Sequence, residues 1–287
     1  MPISSNNPTI RQRRLGRTLR DLRIAAGLKH SDAARVLACA ESKMTRLENA
    51  QSGIRLVDLR LLLDAYGVTD PEKRAEIEKV SREARQKGWW TRYTNLVDSA
   101  YAAYVAVEWD ASEIYNVETH LIPGLLQTPD YTKAVIRLQD PESPPEHMEI
   151  QLKVCEERRK VLQRAKPLQL WVILSESILY HRVGSPQVVK DQLQFLLEAS
   201  QETNIELQIL PRDNPMNACL FGPFVIMSFP TAIESPVAYT ESTAGTVYYE
   251  EESDTERYKT LFRRLNVAAS DVERSRTLIN KALEEMV

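Results

Sequence analysis

The sequence predicts an all-α N-terminal domain of about five helices, followed by a larger α+β domain with a mostly antiparallel sheet. Three observations support this fold class. The apolar patterns up to residue 87 repeat at helical spacing, and Gly or Pro separates them. From residue 168 on, apolar runs bounded by Pro and Gly indicate strands with helices between them. The 287 residues, 43% hydrophobic and 27% charged, are enough for two folded domains.

The predicted boundaries divide the chain into three parts. Residues 1–9 are predicted to be a disordered tail. The helical domain covers residues 10–87. The α+β domain covers residues 88–287 and begins at the sequence GWW, where the helical pattern changes.

The first helix is predicted over residues 10–26, because Leu15, Leu19 and Leu22 follow one another at spacings of four and three. Gly27 supplies its C-terminal stop. Six arginines are expected to cover the other sides of this helix: Arg11, Arg13, Arg14, Arg17, Arg20 and Arg23.

The next helices are shorter. One is predicted over residues 30–37, and the segment from residue 41 forms the next. A fourth covers 55–66, with leucines at helical spacing. Asp70 and Pro71 open a fifth, which runs to about residue 87, with Asp as N-cap and Pro at the first helical position.

The α+β domain mixes the two patterns. Helices are predicted up to about residue 115, from 130, over 146–165, over 186–200 and from about 254 to the end. The predicted strands are LQLWVIL (168–174), IELQIL (205–210), FVIMSF (224–229), VAYTE (237–241) and TVYYEE (246–251).

Charge is unevenly distributed along the chain. Residues 1–60 hold 12 Lys/Arg and 5 Asp/Glu, a net charge of +7, so the remainder carries −10 to give the total of −3. A basic segment on an acidic body favours contact with a polyanion, although chance segregation also produces such splits.

No stretch approaches the length of a membrane helix and the N-terminus lacks the apolar core of a secretory signal. The scattered cysteines, Cys39, Cys155 and Cys219, indicate no disulfide framework or metal pair, so a reducing cytoplasm is the expected compartment.

Residues 30–48 have the dimensions of a helix-turn-helix. Ala34 on one helix and Met44 and Leu47 on the next supply narrow packing stripes, and the turn between the helices is only three or four residues long. Polar residues are then expected to project outward from the second helix, among them Ser42 and Arg46. A helix of this kind fits the major groove of DNA, where Arg can donate two hydrogen bonds to a guanine edge.

The segment GLKHSDAARVLACAESKMTRLENAQSG resembles the Cro/CI-type (xenobiotic-response-element) regulators, over about residues 12–67. This resemblance implies binding to a double-stranded DNA operator. It assigns base contacts to Glu41, Ser42 and Arg46, and phosphate contacts to Lys29, His30, Lys43, Thr45, Gln51 and Arg55. Two positions depart from the pattern. Ala38 replaces a usual Gly, which is tolerable only if the backbone avoids positive φ. His30 replaces a usual Gln, and its grip on phosphate would weaken above its pKa.

Other interpretations of this segment stay open. The two helices could be an ordinary packed pair in a bundle. We expect Glu48 to be a helix-cap or ion-pair residue rather than a base contact.

The second domain is similar to the uncharacterised domain that follows the helix-turn-helix in actinomycete regulators of the WhiJ type. The motifs that carry the resemblance are WW (89–90), LIPGLLQT (121–128), HRVGSP (181–186), GPFVIMSFP (222–230) and PVAYTES (236–242). The resemblance implies control of differentiation or specialised metabolism, beside a small partner protein encoded nearby. It does not reveal a ligand, and no cofactor or metal is expected.

No enzyme motif is present: HExxH, GxSxG, GxGxxG and Walker patterns are absent, so an enzyme is not expected. Glu176 follows a strand, but capping a short helix is its simpler role. The acidic run 250–254 could hold a cation, although such runs more often open a helix. Tyr239, Tyr248 and Tyr249 could line a pocket or simply pack on strands. Four residues of one loop could form an apolar contact patch, or they could pack the loop against the rest of the domain: Leu121, Pro123, Leu125 and Leu126.

The sequence therefore predicts a transcriptional regulator that binds a specific DNA operator as a homodimer, with a second domain that binds a small protein. Two alternatives remain for the second domain. It could be an antitoxin-like module that sequesters the partner, or the receptor of a small-molecule effector.

Overall fold

The computed structural model describes residues 10–84, 88–93, 96–216, 221–230, 235–242 and 245–286, with the side chain of residue 10 left out. The predicted tail, residues 1–9, and the predicted last helical residues, 85–87, lie outside the described residues. The chain forms two compact units. The first contains residues 1–91 with 230–235, and the second contains residues 92–229 with 236–287.

Within the described residues, five α-helices form the first unit: α1 (Ile10–Ala25), α2 (His30–Val36), α3 (Glu41–Glu48), α4 (Leu56–Ala65) and α5 (Pro71–Glu83). The predicted all-α architecture is confirmed. Gly27 ends α1 with a φ of 71°, and Asp70 caps α5 by accepting a hydrogen bond from the backbone N–H of Glu72. Met44, Leu59, Leu62 and Leu63 are fully buried in the shared core of this unit, each with 0% exposure.

In this unit one stated condition is not met and one expectation is wrong. Ala38, in the turn between α2 and α3, has a φ of 48°, so the backbone does take the positive φ that Gly would adopt without strain. Arg14 and Arg23 are buried, at 6% exposure each, instead of covering the outer sides of α1. For Arg23 the reason is an acidic partner inside the unit, Glu48.

The sheet of the second unit has six strands in the part of the chain that the structure describes: β1 (Glu113–Glu118), β2 (Gln169–Ser175), β3 (Ile205–Leu210), β4 (Phe224–Ser228), β5 (Val237–Ser242) and β6 (Gly245–Tyr249). Their order is β3-β2-β1-β4-β5-β6. The pairs β1–β2 and β2–β3 are parallel, whereas β1–β4, β4–β5 and β5–β6 are antiparallel. The predicted α+β domain with a mostly antiparallel sheet is thus confirmed.

The first three residues of strand β1 were expected to end a helix, and that expectation is wrong. The segment EIYNVE places Ile114 and Asn116 on one face of the sheet and Tyr115 and Val117 on the other. It lies between the parallel and antiparallel halves, where it pairs with both β2 and β4. Pairing on both sides provides the backbone hydrogen bonds that fix it as a strand.

The described helices of the second unit are α6 (Ser99–Asp110), α7 (Pro129–Gln139), α8 (Pro145–Arg159), α9 (Pro186–Ala199), α10 (Glu252–Ala268) and α11 (Val272–Glu284). The connections that α7, α8 and α9 form allow β1, β2 and β3 to run parallel. One face of the sheet is covered by α10, whose Phe262 and Leu265 pack with Val117, Ile173 and Ile226. The single closing helix predicted from residue 254 is in fact two, α10 and α11.

Candidate nucleic-acid interface

Helix α3 is anchored on one side and open on the other. Met44 and Leu47 are buried in the core, at 0% and 3% exposure. Ser42 and Arg46 are exposed, and within the described residues Arg46 makes no ion pair. A helix of eight residues with this division offers its polar side to a ligand while its apolar stripe fixes its direction.

The other predicted base and phosphate contacts surround this helix. The exposed members are Lys29, Glu41, Thr45, Gln51 and Arg55, whereas His30 and Lys43 are half-buried. The Thr45 hydroxyl donates to the backbone oxygen of Glu41 at 3.3 Å, which leaves the hydroxyl lone pairs facing outward. Lys29 precedes α2, and its backbone N–H donates to Asp32 at 2.9 Å. These placements agree with the assigned contacts, which remain predictions.

Asp58 links two of the predicted phosphate contacts. Arg55 donates to both Asp58 carboxylate oxygens, at 3.1 and 3.3 Å, and Lys43 Nζ lies 3.6 Å from Asp58 Oδ2. Asp58 is buried at 8% exposure, and it brings together two cationic side chains that come from different parts of the chain. Sequence reasoning missed this residue, although an acidic side chain three positions after Arg55, at the start of a helix, was a usable signal.

A buried ion pair holds α1 and α3 together. Arg23 donates two hydrogen bonds to the Glu48 carboxylate, at 2.6 and 2.8 Å, and a third to the Leu28 carbonyl at 2.8 Å. The predicted ion-pair role of Glu48 is confirmed. His30 Nε2 lies 3.0 Å from the same carboxylate, so Glu48 also orients a predicted phosphate contact.

The pair shifts the pKa values of its members. Burial alone would raise the pKa of Glu48, but the hydrogen bonds and charge of Arg23, assisted by His30, outweigh burial and lower it. The hydrogen bonds to Glu48 raise the pKa of Arg23. Burial, with the Glu48 charge adding to it, raises the pKa of the nearby Tyr66 to about 12. The carboxylate therefore stays charged inside the unit at neutral pH.

Gly16 allows α1 to approach the C-terminal end of α3. A Cβ added at this position would lie 2.5 Å from the backbone oxygen of Glu48 and 3.0 Å from that of Leu47. These atoms belong to backbone and cannot move aside as a flexible side chain would. A glycine is therefore required for this packing of the helix behind the exposed surface.

We expect Gly16→Ala to destabilise the first unit by about 1–3 kcal/mol, because the overpacking outweighs the roughly 1 kcal/mol that alanine gains in a helix. Urea denaturation of the full chain, with hydrogen exchange of α1 and α3 amides, measures the effect. Gly53→Ala is the matched control, since an added Cβ there meets nothing within 4 Å. Equal exchange protection in Gly16→Ala and the parent chain would contradict the close approach.

In the second unit, the LIPGLLQT segment is a sealed loop. Pro123, Leu125 and Leu126 are buried, so the alternative of an exposed apolar contact patch is wrong. Gln127 donates to the Ile122 carbonyl at 2.7 Å and accepts from Thr132 at 3.0 Å. The residues of the LIPGLLQT motif therefore hold the loop in its conformation.

Gly124 of the same loop lies against a buried ion pair. A Cβ there would be 3.0 Å from Arg158 Nη1, and Arg158 donates two hydrogen bonds to Glu108 at 2.7 and 2.8 Å.

The structure also shows where two other acidic candidates of the second unit lie. Glu176 opens a short 3-10 helix, Glu176–Tyr180, and accepts from the backbone N–H of Arg212. The acidic run opens α10.

In the first unit, the polar side of the short helix α3 is exposed, Met44 and Leu47 on its other side are buried, and a four-residue turn precedes it. This is the geometry of a helix-turn-helix DNA-binding unit. Residues 14–77 match the family model described as a helix-turn-helix domain. Residues 101–281, more than half of the chain, match the model described as a domain of unknown function (DUF5753).

The chain belongs to the DUF5753 family, with a helix-turn-helix domain preceding the DUF5753 region. No curated protein and no solved structure matches it. Among the residues that the structure describes, no helix has the length and apolar character to span a membrane.

Proposed function

We propose that this chain is a sequence-specific transcriptional regulator that binds a double-stranded DNA operator in the cytoplasm through α3, and that it is not an enzyme. One observation supports the proposal above all: Ser42 and Arg46 are exposed on a helix whose Met44 and Leu47 are buried. Arg46 can read a guanine edge with two hydrogen bonds, while the Lys43–Asp58–Arg55 group, Lys29 and His30 contact phosphates.

The positive surface suits this role. The net charge of +7 over residues 1–60 attracts the phosphate backbone, and binding is expected to weaken steeply as salt concentration rises. The Cro/CI-type resemblance supports the same assignment. A single α3 reads only a few bases, so we propose a homodimer that reads two half-sites about one helical turn apart.

Arg46→Ala is expected to reduce the preference for the operator over unrelated DNA by about 1–3 kcal/mol, because it removes the bidentate donor. The operator would come from in vitro selection with the full chain, and fluorescence anisotropy would give both affinities at fixed salt. Arg60→Ala is the matched control, since Arg60 is a surface arginine of the same unit that pairs with Glu78 at 2.8 Å. An unchanged preference in Arg46→Ala alongside unchanged folding would refute the assignment of α3.

For the second unit we propose that it binds a small partner protein encoded nearby, in control of differentiation or specialised metabolism. The resemblance to WhiJ-type regulators supports this. There are two alternatives: an antitoxin-like module that sequesters the partner, and a repressor that responds to a small molecule. Co-purification of a small protein with the full chain, together with operator affinity measured with and without it, separates them: sequestration without altered affinity favours the antitoxin-like role.

A further inference from the structure

One face of the sheet in the second unit is largely apolar, with Ile114, Val172 and Val225 buried on it, but several polar side chains lie among these residues near β1 and β5. Asn116 pairs across to Val225, Val225 to Tyr239, and Tyr239 to Tyr248, so these residues share a face. Because side chains alternate along a strand, Glu118 lies on this face two positions after Asn116. The opposite face is the one that α10 covers.

Aromatic rings line this face. Tyr239 lies between Tyr104 of α6 and Tyr248 of β6, with ring centroids 4.8 and 5.1 Å away. The Tyr239 hydroxyl donates to the Glu241 carboxylate at 3.2 Å. Three tyrosine rings beside carboxylates form the kind of surroundings that attract an organic cation, because ring faces are negative.

Glu118 lacks a counter-ion among the residues that the structure describes. Its side chain accepts a hydrogen bond from Asn116, and the charge that acts on its pKa is another carboxylate, that of Glu241. Burial raises the pKa of Glu118 to about 8; the Asn116 hydrogen bond opposes this shift and Glu241 adds to it. When this carboxyl is ionised, a bound cation would supply the opposite charge that the neighbouring groups do not supply.

Asn116 gives an independent sign of an absent partner. Its side chain is buried at 5% exposure and its amide N–H donates to Glu118, yet within the described part of the chain its Oδ1 has no hydrogen-bond partner. Buried amide oxygens are satisfied in nearly all folded proteins, and an ammonium group supplies up to three donors.

The site is open to solvent. Glu118, Tyr104 and Tyr248 are partly exposed although protein surrounds Glu118 and Tyr104 on most sides, and Glu241 is exposed. This combination describes a recess. Arg158 lies over the Tyr104 ring, 5.4 Å from its centroid, but its charge is paired with the Glu108 carboxylate, which accepts two of its hydrogen bonds.

We propose that this recess binds a small organic cation, an alkylammonium compound whose charged group lies against Glu118 and Asn116 and whose carbon atoms contact the tyrosine rings. Rings in place of oxygen ligands disfavour a Ca²⁺ ion, which takes six to eight oxygens. The inference goes beyond the proposed function and does not depend on DNA binding, since the recess is built from the second unit alone.

The test is calorimetric titration of the full chain with n-butylammonium and tetramethylammonium chloride, at a pH above the pKa of Glu118. At least one of the two is expected to bind saturably, whereas n-butanol and sodium chloride are not. Glu118→Gln should weaken binding about tenfold or more, because it removes the charge. Glu113→Gln is the matched control, on the same strand but the opposite face.

The variant remains informative because Glu118→Gln removes a partly buried acid and should fold at least as well as the parent chain. Absence of saturable binding by both cations would overturn the proposal. So would equal affinity in Glu118→Gln, or equal binding of n-butanol. Titration of a lysine-containing peptide that binds while both small amines do not would assign the recess to a basic side chain of a partner protein, and would also overturn the small-molecule proposal.

Discussion

Replacing Glu48 with alanine is expected to lower the unfolding free energy of the first unit by about 3–5 kcal/mol, because Arg23 would be left buried without its partner. The guanidinium donates two hydrogen bonds to Glu48 and one to the Leu28 carbonyl, and it also lies 3.4 Å from His30 Nε2. Losing the carboxylate also releases His30 from its contact at 3.0 Å. Operator binding should therefore fall even where the chain remains folded. The measurement is hydrogen exchange of α1–α3 amides across a urea titration of the full chain.

The pH dependence provides a second check on the same pair. Since the pKa of Glu48 is lowered in the folded state, its stabilisation is fully present above the ordinary Glu pKa and is lost as pH falls below it. Glu48→Gln should lack this acid-dependent loss. Glu41→Ala, on the exposed side of the same helix, is the matched control and should change stability by less than about 0.5 kcal/mol. Similar protection in Glu48→Ala and Glu41→Ala would mean that the pair adds nothing to the fold.

Helical spacing and stop signals predicted the first unit well, because Leu15, Leu19, Met44 and Leu47 need only local periodicity to reveal their buried side. The same reasoning could not place Arg23. An arginine on a helix ordinarily faces solvent, and its burial depends on Glu48, which is twenty-five residues away. Long-range pairing of charges leaves no periodic signal in either helix.

Strand β1 shows the corresponding limit in the second unit. Its sequence, EIYNVE, places Asn116 and Glu118 on one face, so the segment lacks the apolar run of a central strand. The residues that hid the strand are those that line the proposed cation recess. This agrees with the general tendency for local rules to fail at sites that bind ligands. Tyr239 and Tyr248, for which both a pocket and ordinary packing were open, lie at the same place.

The site predictions divide in the same way. Exposure of Ser42 and Arg46 followed from the burial of Met44 and Leu47 on the same short helix. Asp58 was missed because its role depends on Lys43, which lies on a different helix and approaches it only in three dimensions. The positive φ of Ala38 was also unexpected. This conformation costs free energy for alanine, and only the packing of the surrounding residues can hold it in place.

In the second unit, Glu108→Ala is expected to lower the unfolding free energy by about 3–5 kcal/mol, because Arg158 is enclosed by protein and would lose both hydrogen bonds to the carboxylate. Gly124 packs directly on the guanidinium, so the effect should reach the LIPGLLQT loop as well as α6 and α8. Hydrogen exchange of these three segments in the full chain measures it.

Glu157→Ala is the matched control for this variant. Glu157 also lies on α8 and pairs with Lys160 at the surface, where such a pair contributes at most about 1 kcal/mol. A double variant with Glu108→Leu and Arg158→Met should recover much of the lost stability, since it removes both buried charges together. If Glu108→Ala alone were as stable as Glu157→Ala, the hydrogen bond from Arg158 to Tyr101, at 2.9 Å, would be sufficient to satisfy the arginine, and the carboxylate would have no structural role.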